Sequence, residues 1–226
     1  MRKVLFVTDS LGSPRVHPEK ITDEESWVYS VMDRIGSDCK FRIFIKPGLD
    51  TNQLKVDADS YLSAYKEIDV VILQVGIVDC YPRAIKKTEL SVILRLPKLL
   101  SGLIHKFVRR NYRTLVEYRN IRYVAVQEFE ENLVAFKQLF SNSKFLVVPI
   151  APASSPWKEK NPKVGLSIDL YNSKLKKVFG SDFEEACYLN CDENEIYQSD
   201  NHHLNSNGHN TVSEYVLNRL RTIFTV

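Results

Sequence analysis

The sequence predicts a three-layer α/β/α sandwich on a mostly parallel sheet of about five strands. Three observations carry that expectation. Short continuous apolar runs, such as Val4-Leu5-Phe6-Val7 and Val70-Val71-Ile72-Leu73, have the character of strands covered on both faces. Segments of helical period lie between such runs, and the two types alternate along the chain. Polar clusters stand where strands and helices meet: Asp9-Ser10 follows the first apolar run, and Asp200-Asn201-His202-His203 precedes the last helical segment.

Taken in order, Val4 to Val7 reads as a buried strand. A helix is expected from Asp23 to Ile35, with Thr22 as its cap and Glu25 as the reciprocal acid of a capping box. Phe41 to Ile45 is the second strand, stopped by Pro47-Gly48, and a helix is expected through Ala58 to Tyr65. Asp69 to Gly76 gives the clearest strand of the chain. Lys87 to Tyr118 is helical in character, with Leu90, Ile93, Leu94 and Leu96 on one side and Pro97 as a break or kink. Ile121 to Val126 reads as a short strand, and Glu128 to Leu139 as a helix through Phe129, Leu133, Phe136 and Leu139. Lys144 to Ile150 is another buried strand. A helix over Ser167 to Phe179, a short strand near Ala186 to Leu189 and a helix over Asn207 to Ile223 follow. In the closing helix Val212, Tyr215, Val216, Leu220 and Ile223 form the core stripe. With no internal repeat, low-complexity tract or linker, residues 1–226 read as one domain carrying a basic helical insertion around residues 84–120.

Composition bounds the function. The 226 residues are 44% hydrophobic and 26% charged, ordinary for a globular chain with a substantial core. No apolar run is long enough to span a membrane. Arg2 and Lys3 precede only a few apolar residues and no small-residue cleavage site, which reads as a first strand and not a secretory signal, so a cytoplasmic location is expected. Cys39, Cys80, Cys187 and Cys191 lack Cys-x-x-Cys spacing and read as free thiols in a reducing compartment. The remote alternative is a zinc site completed by His202 or His203. The net charge of +3 is unevenly spread: Arg83 to Arg122 holds eleven Lys or Arg against Glu89 and Glu117, whereas Phe183 to Asp200 is acidic. The basic stretch is either a solvated helical face or a surface for an anionic glycan intermediate, a membrane or RNA. No nucleic-acid module accompanies it, so no nucleic-acid partner is expected.

A hydroxyl leaving a buried strand, with a carboxylate and an imidazole three residues apart in another loop, are the parts of a Ser-His-Asp hydrolase. In a parallel sheet ligands sit at the carboxyl ends of the strands, where Asp9-Ser10-Leu11-Gly12, Pro47-Gly48-Leu49 and Gly76-Ile77-Val78-Asp79-Cys80 fall.

These residues carry a resemblance. Thr8-Asp9-Ser10-Leu11 is similar to the Gly-Asp-Ser-Leu block of the SGNH/GDSL hydrolases, and Gly76-Ile77-Val78-Asp79 to their Gly-x-Asn-Asp block. Asp200-Asn201-His202-His203-Leu204-Asn205, followed by Gly208-His209, resembles their Asp-x-x-His block. The resemblance implies the family's flavodoxin-like fold, with Ser10 as nucleophile, His203 as general base then acid, and Asp200 as its orienting carboxylate. It also implies an oxyanion hole from the backbone N–H groups of Ser10 and Gly48, and substrate contacts in the block Gly76, Val78 and Asp79. No cofactor or metal is required.

Two departures stand out. Thr8 occupies the place of the first glycine, and Val78 that of the asparagine whose amide is normally the third oxyanion donor; losing one such donor costs roughly 3–4 kcal/mol. Arg83 has two readings, a substitute donor or anion-holder, and a structural partner of Asp79 or Asp9. His202 adjoins the base, His209 reads as a packing or surface histidine, and His17 and His105 read as surface residues, His17 lying near enough to Ser10 to line the pocket.

The expected activity is hydrolysis of small acyl esters, acetyl above all, on a carbohydrate or polysaccharide precursor. Members with the Asp-Cys-x-Pro-Arg extension, here Asp79 to Arg83, are associated with bacterial surface-polysaccharide synthesis. An O-acyltransferase using the same serine, and a non-catalytic glycan-binding or assembly protein, are the alternatives. The expected partner is a small-molecule or glycan ester, with an anionic substrate, peripheral membrane contact and a homodimer as open readings.

Overall fold

The computed structural model describes residues 1–65, 67–189 and 191–225. Four parallel strands form one sheet: β1 (Arg2–Thr8), β2 (Cys39–Ile45), β3 (Val70–Gln74) and β4 (Lys144–Val147), in the order β2-β1-β3-β4. Val4 to Val7 are completely buried because β1 is flanked by strands on both edges and covered on both faces. Its register sets Val4 opposite Phe41 on one side and Val70 on the other.

The helices fall into two layers. On one face α1 (Trp27–Ile35) packs against α10 (Ser206–Thr225). On the other, α2 (Thr51–Ser60), α7 (Val126–Leu139) and α9 (Val164–Phe179) pack in sequence. The short α3 (Ile77–Cys80) follows β3. The basic stretch folds as three helices, α4 (Lys87–Arg95), α5 (Lys98–Arg110) and α6 (Tyr112–Arg119). Pro97 separates α4 from α5, as a residue without an N–H must. The six-residue α8 (Ser155–Lys160) leads into α9. Among the described residues no helix is long and apolar enough to cross a membrane.

The sheet has four strands where about five were expected. Ala186 to Leu189 is part of a 3-10 turn, Glu185–Tyr188, and the missing edge is reduced to one parallel bridge between Val147 and Phe183. Ile121 to Val126 is no strand either: Ile121 makes a single antiparallel bridge to Arg83, and Val126 already opens α7. In both places a few β-favouring residues lack a free sheet edge long enough to form a ladder. The Thr22–Glu25 capping box forms, with the Thr22 N–H on Glu25 Oε2 at 2.9 Å, but it caps a turn, and α1 itself starts at Trp27. The second helix starts earlier than periodicity suggested, because the Asp50 side chain accepts from the Gln53 N–H at 2.9 Å.

Thr8 and Gly12 form a tight pair at the top of β1. A Cβ on Gly12 would lie 2.4 Å from Thr8 Cγ2, and Thr8 is fully buried and cannot retreat. The Thr8 hydroxyl also donates to Gln74 Oε1 at 2.8 Å, so its side chain is pinned away from the carboxyl-edge surface. Gly12→Ala should therefore destabilise the chain by about 1–3 kcal/mol, read as a lower urea midpoint at unchanged slope; an unshifted midpoint would contradict the packing.

Candidate active site

Asp9 and Ser10 leave β1 at the carboxyl edge of the sheet. Asp9 caps the 3-10 turn Ser10–Gly12, its Oδ1 accepting the Leu11 N–H at 2.8 Å. The turn lifts Ser10 to partial exposure above the buried Asp9. Past β2, Gly48 is exposed at φ +75°, a left-handed conformation that favours glycine. Its neighbour closes the turn through a Leu49 N–H to Lys46 carbonyl bond of 3.0 Å. Among the described residues no protein acceptor takes the N–H of Ser10 or of Gly48.

The third part comes from the loop before α10. Asp200 Oδ1 accepts the backbone N–H groups of His202 at 2.9 Å and His203 at 3.0 Å, and Oδ2 faces His203 Nδ1 at 2.6 Å. One carboxylate thus fixes both the loop and the ring. Burial opposes ionisation of Asp200, but these hydrogen bonds outweigh it and hold the carboxyl below its ordinary range. With Asp200 on Nδ1, Nε2 is the nitrogen left for chemistry. Burial lowers the His203 pKa below its ordinary value against the pull of Asp200, which keeps the ring neutral and basic near pH 7.

The two ends of the chain meet through polar side chains. Arg15 Nη2 donates to the Ser10 carbonyl at 2.6 Å, and its charge acts on Asp9, Asp200 and His203. Glu19 Oε2 accepts the Ser199 N–H at 3.2 Å, and Ser206 Oγ donates to Glu25 at 3.0 Å. The Trp27 N–H donates to His209 Nδ1 at 3.2 Å, and the Trp27 indole to Gln74 Oε1 at 3.0 Å. His209 is a buried packing residue whose pKa burial lowers to about 4. Arg15, Gln74 and Trp27 escaped the sequence reading. A cation five residues after Ser10 is the only sequence signal for the first, and nothing local marks the other two.

In the block after β3, Gly76 and Asp79 are engaged in packing and hydrogen bonds within the fold. Gly76 is buried at φ +114°, and a Cβ there would lie 2.7 Å from Ile150 Cδ1. Asp79 is fully buried and its Oδ1 accepts the Thr51 N–H at 2.8 Å and hydroxyl at 2.6 Å, bracing the start of α2. Val78 keeps 8% of its surface exposed. Arg83 pairs with neither Asp79 nor Asp9; its guanidinium lies over Tyr123 at 4.9 Å. His202 packs edge-on to Tyr81 at 5.3 Å and lies 6.0 Å from Trp157. Burial first, then the charges of His203 and Arg83, lower its pKa to about 3.

Trp157 also lines a cleft of about 800 Å³ with Tyr112, Arg109, Arg110, Arg113 and Lys160. Two further cations of the basic stretch are engaged elsewhere: Arg119 pairs with Glu89 at 2.5 Å, and Lys87 with Asp50. His17 and His105 are exposed. All four cysteines are free, and among the described residues no group of three or more His, Cys, Asp or Glu converges as a metal site.

No protein-family profile and no curated protein matches the chain. Solved structures do match in fold. A lipase/acylhydrolase from Enterococcus faecalis superposes at a TM-score of 0.66 with 16% identity, covering 98% of this chain and 96% of the other. The psychrotrophic esterase EstA from Pseudoalteromonas sp. matches at 0.59 with 13% identity over the whole of both chains. Est24, a carbohydrate acetylesterase from Sinorhizobium meliloti, matches at 0.58 with 14% identity, over 99% of this chain and 100% of that one. The chain has the α/β fold of the SGNH/GDSL-type hydrolases.

Beneath Ser10 two acids face an unusual environment. Burial, with the nearby charge of Asp79, raises Asp9 to about 7, and burial raises Asp79 to about 6. A carboxyl raised from 3.8 to about 7 keeps in the folded chain a proton that the unfolded chain has lost, so stability falls as pH rises through that window. Asp9→Asn retains an oxygen for the Leu11 N–H and removes the titration. Thermal melts should show variant and wild type nearly matched near pH 4 and the variant more stable by a few kcal/mol near pH 8; a difference independent of pH would contradict the assignment.

Proposed function

We propose that the chain is a serine esterase that removes small acyl groups, acetyl above all, from a carbohydrate. The observation that carries this is the Asp200–His203 pair, with Nδ1 engaged at 2.6 Å and the ring held neutral, tied through Arg15 to the turn that presents Ser10. In this reading Ser10 Oγ attacks the ester carbonyl as His203 Nε2 takes its proton. The tetrahedral oxygen is received by the free N–H groups of Ser10 and Gly48. The imidazolium, stabilised by Asp200, returns the proton to the departing sugar hydroxyl. Water then attacks the acyl-serine, again deprotonated by His203, and releases the carboxylic acid.

Support for a carbohydrate comes from the cleft beside the ring cluster, where Tyr112 and Trp157 offer flat apolar faces and Arg109, Arg110 and Lys160 offer donors. A fold neighbour, Est24, is a carbohydrate acetylesterase. The same cations suit an anionic sugar. A polysaccharide precursor in the cytoplasm is the proposed setting.

Ser10→Ala and His203→Ala should each lower kcat on a soluble acetyl ester by about a thousandfold or more, with the fold intact by circular dichroism. Rates equal to wild type in either variant would reject the mechanism. Val78 stands where the family resemblance expects a third oxyanion donor, and it keeps 8% of its surface exposed. Val78→Asn should raise kcat by about tenfold or more with KM little changed, measured on the same ester; a loss of activity in a folded variant would place Val78 outside the oxyanion site.

A further inference from the structure

The insertion has a face that the fold leaves uncovered. On α5, Leu99, Leu100, Leu103 and Phe107 are 84%, 51%, 64% and 60% exposed. At 100° per residue these four occupy an arc of about 100° on one side of the helix. On the preceding α4, Val92 and Leu94 are 59% and 67% exposed. Single exposed leucines are ordinary, but the four large apolar side chains on one side of α5 form a patch that marks an interaction surface.

The charge around the patch selects its occupant. From Leu90 to Val116 the chain contains no Asp or Glu, and Arg95, Lys98 and Lys106 are exposed beside the apolar arc. A second copy docked by the same patch would bring these like charges together with nothing to offset them. The acidic stretch after Phe183 is a weak counterpart, because four of its six acids are already paired within the chain, Glu184 with Arg219, Glu185 with Lys176, Glu193 with Lys158 and Asp200 with His203, which leaves Asp192 and Glu195. A surface that accepts leucine and phenylalanine in its interior and cations at its rim is an anionic lipid bilayer.

We propose that α4 and α5 dock the protein on anionic membrane surfaces, with Leu99, Leu103 and Phe107 entering the interface and Lys98 and Lys106 reaching lipid headgroups. The opposite side of α5 carries Arg109 and Val108 into the cleft shared with Trp157, so docking sets the proposed active site beside the bilayer. Esters presented at a membrane surface then become the accessible substrates.

The test is co-sedimentation of the full chain with vesicles of phosphatidylcholine and phosphatidylglycerol in equal parts, against pure phosphatidylcholine, at low and high salt. Wild type should partition onto the anionic vesicles, less so in high salt. Leu103→Asp with Phe107→Asp should abolish binding, and Lys98→Glu with Lys106→Glu should weaken it by about fivefold or more per residue. Both double variants should hydrolyse a soluble ester as wild type does, so vesicle binding and catalysis fail separately. Absence of binding to either vesicle overturns the proposal, as does equal binding by the Leu103→Asp, Phe107→Asp variant. A dimer in sedimentation velocity that this variant dissociates, without vesicle binding, would assign the patch to a second copy instead.

Discussion

The burial of β1 at the middle of the sheet is the constraint on which the site depends. With neighbours on both edges, β1 can only be a fully apolar, parallel strand, and Val4 to Val7 meet that requirement. The order β2-β1-β3-β4 sends the chain from β1 to one side and then back across to β3. The two connections diverge at the carboxyl edge of the sheet, where ligands of parallel α/β sheets sit. Ser10 leaves β1 there, with the Gly48 turn on one side and the block after β3 on the other. The loop before α10 is tethered to the N-terminal part of the chain, by Ser199 to Glu19 and by the anchoring of α10 on α1 through Ser213 and the buried His209.

The carboxylates of this edge divide by environment. Asp200 is half-exposed, accepts three hydrogen bonds and is held ionised. Asp9 and Asp79 are buried a few residues from the same edge, each with one oxygen free of any partner among the described residues, and burial shifts both towards neutrality. Low solvation thus acts in the same sense on all three groups, lowering the pKa of the His203 ring and raising those of Asp9 and Asp79.

The insertion obeys a different logic. Core helices such as α7 and α9 turn Phe129, Leu133, Tyr171 and Leu175 into buried contacts. Helices α4 to α6 add few: Ile93 and Val116 are their buried residues. Their apolar content is not required by the sheet, and their cations are divided between ion pairs that fasten the insertion, such as Arg119 with Glu89, and side chains free to meet something outside.

The sequence alone determined the parts whose signal is local. Continuous apolar runs marked β1, β3 and β4, because burial on both faces leaves no polar position to confuse the period, and the edge strand β2 was marked by Phe41 and Ile43 to Ile45 before Pro47-Gly48 although Lys40 and Arg42 are exposed. Asp200 and His203 were legible for the same reason, since three residues of spacing suffice for a carboxylate to reach Nδ1. Pro97 marked a break by its chemistry alone. What depends on distant parts was not legible. Whether Ala186 to Leu189 becomes a strand depends on the free edge of β4, and the structure reduces that edge to a single bridge at Phe183. Whether Asp79 faces a substrate or Thr51 depends on how α2 packs beside β3, a contact 28 residues apart in the chain. Arg15, Gln74 and Trp27 became part of the site only because folding brings residues from opposite ends of the chain to one edge, and no pattern in neighbouring residues records a contact of that kind.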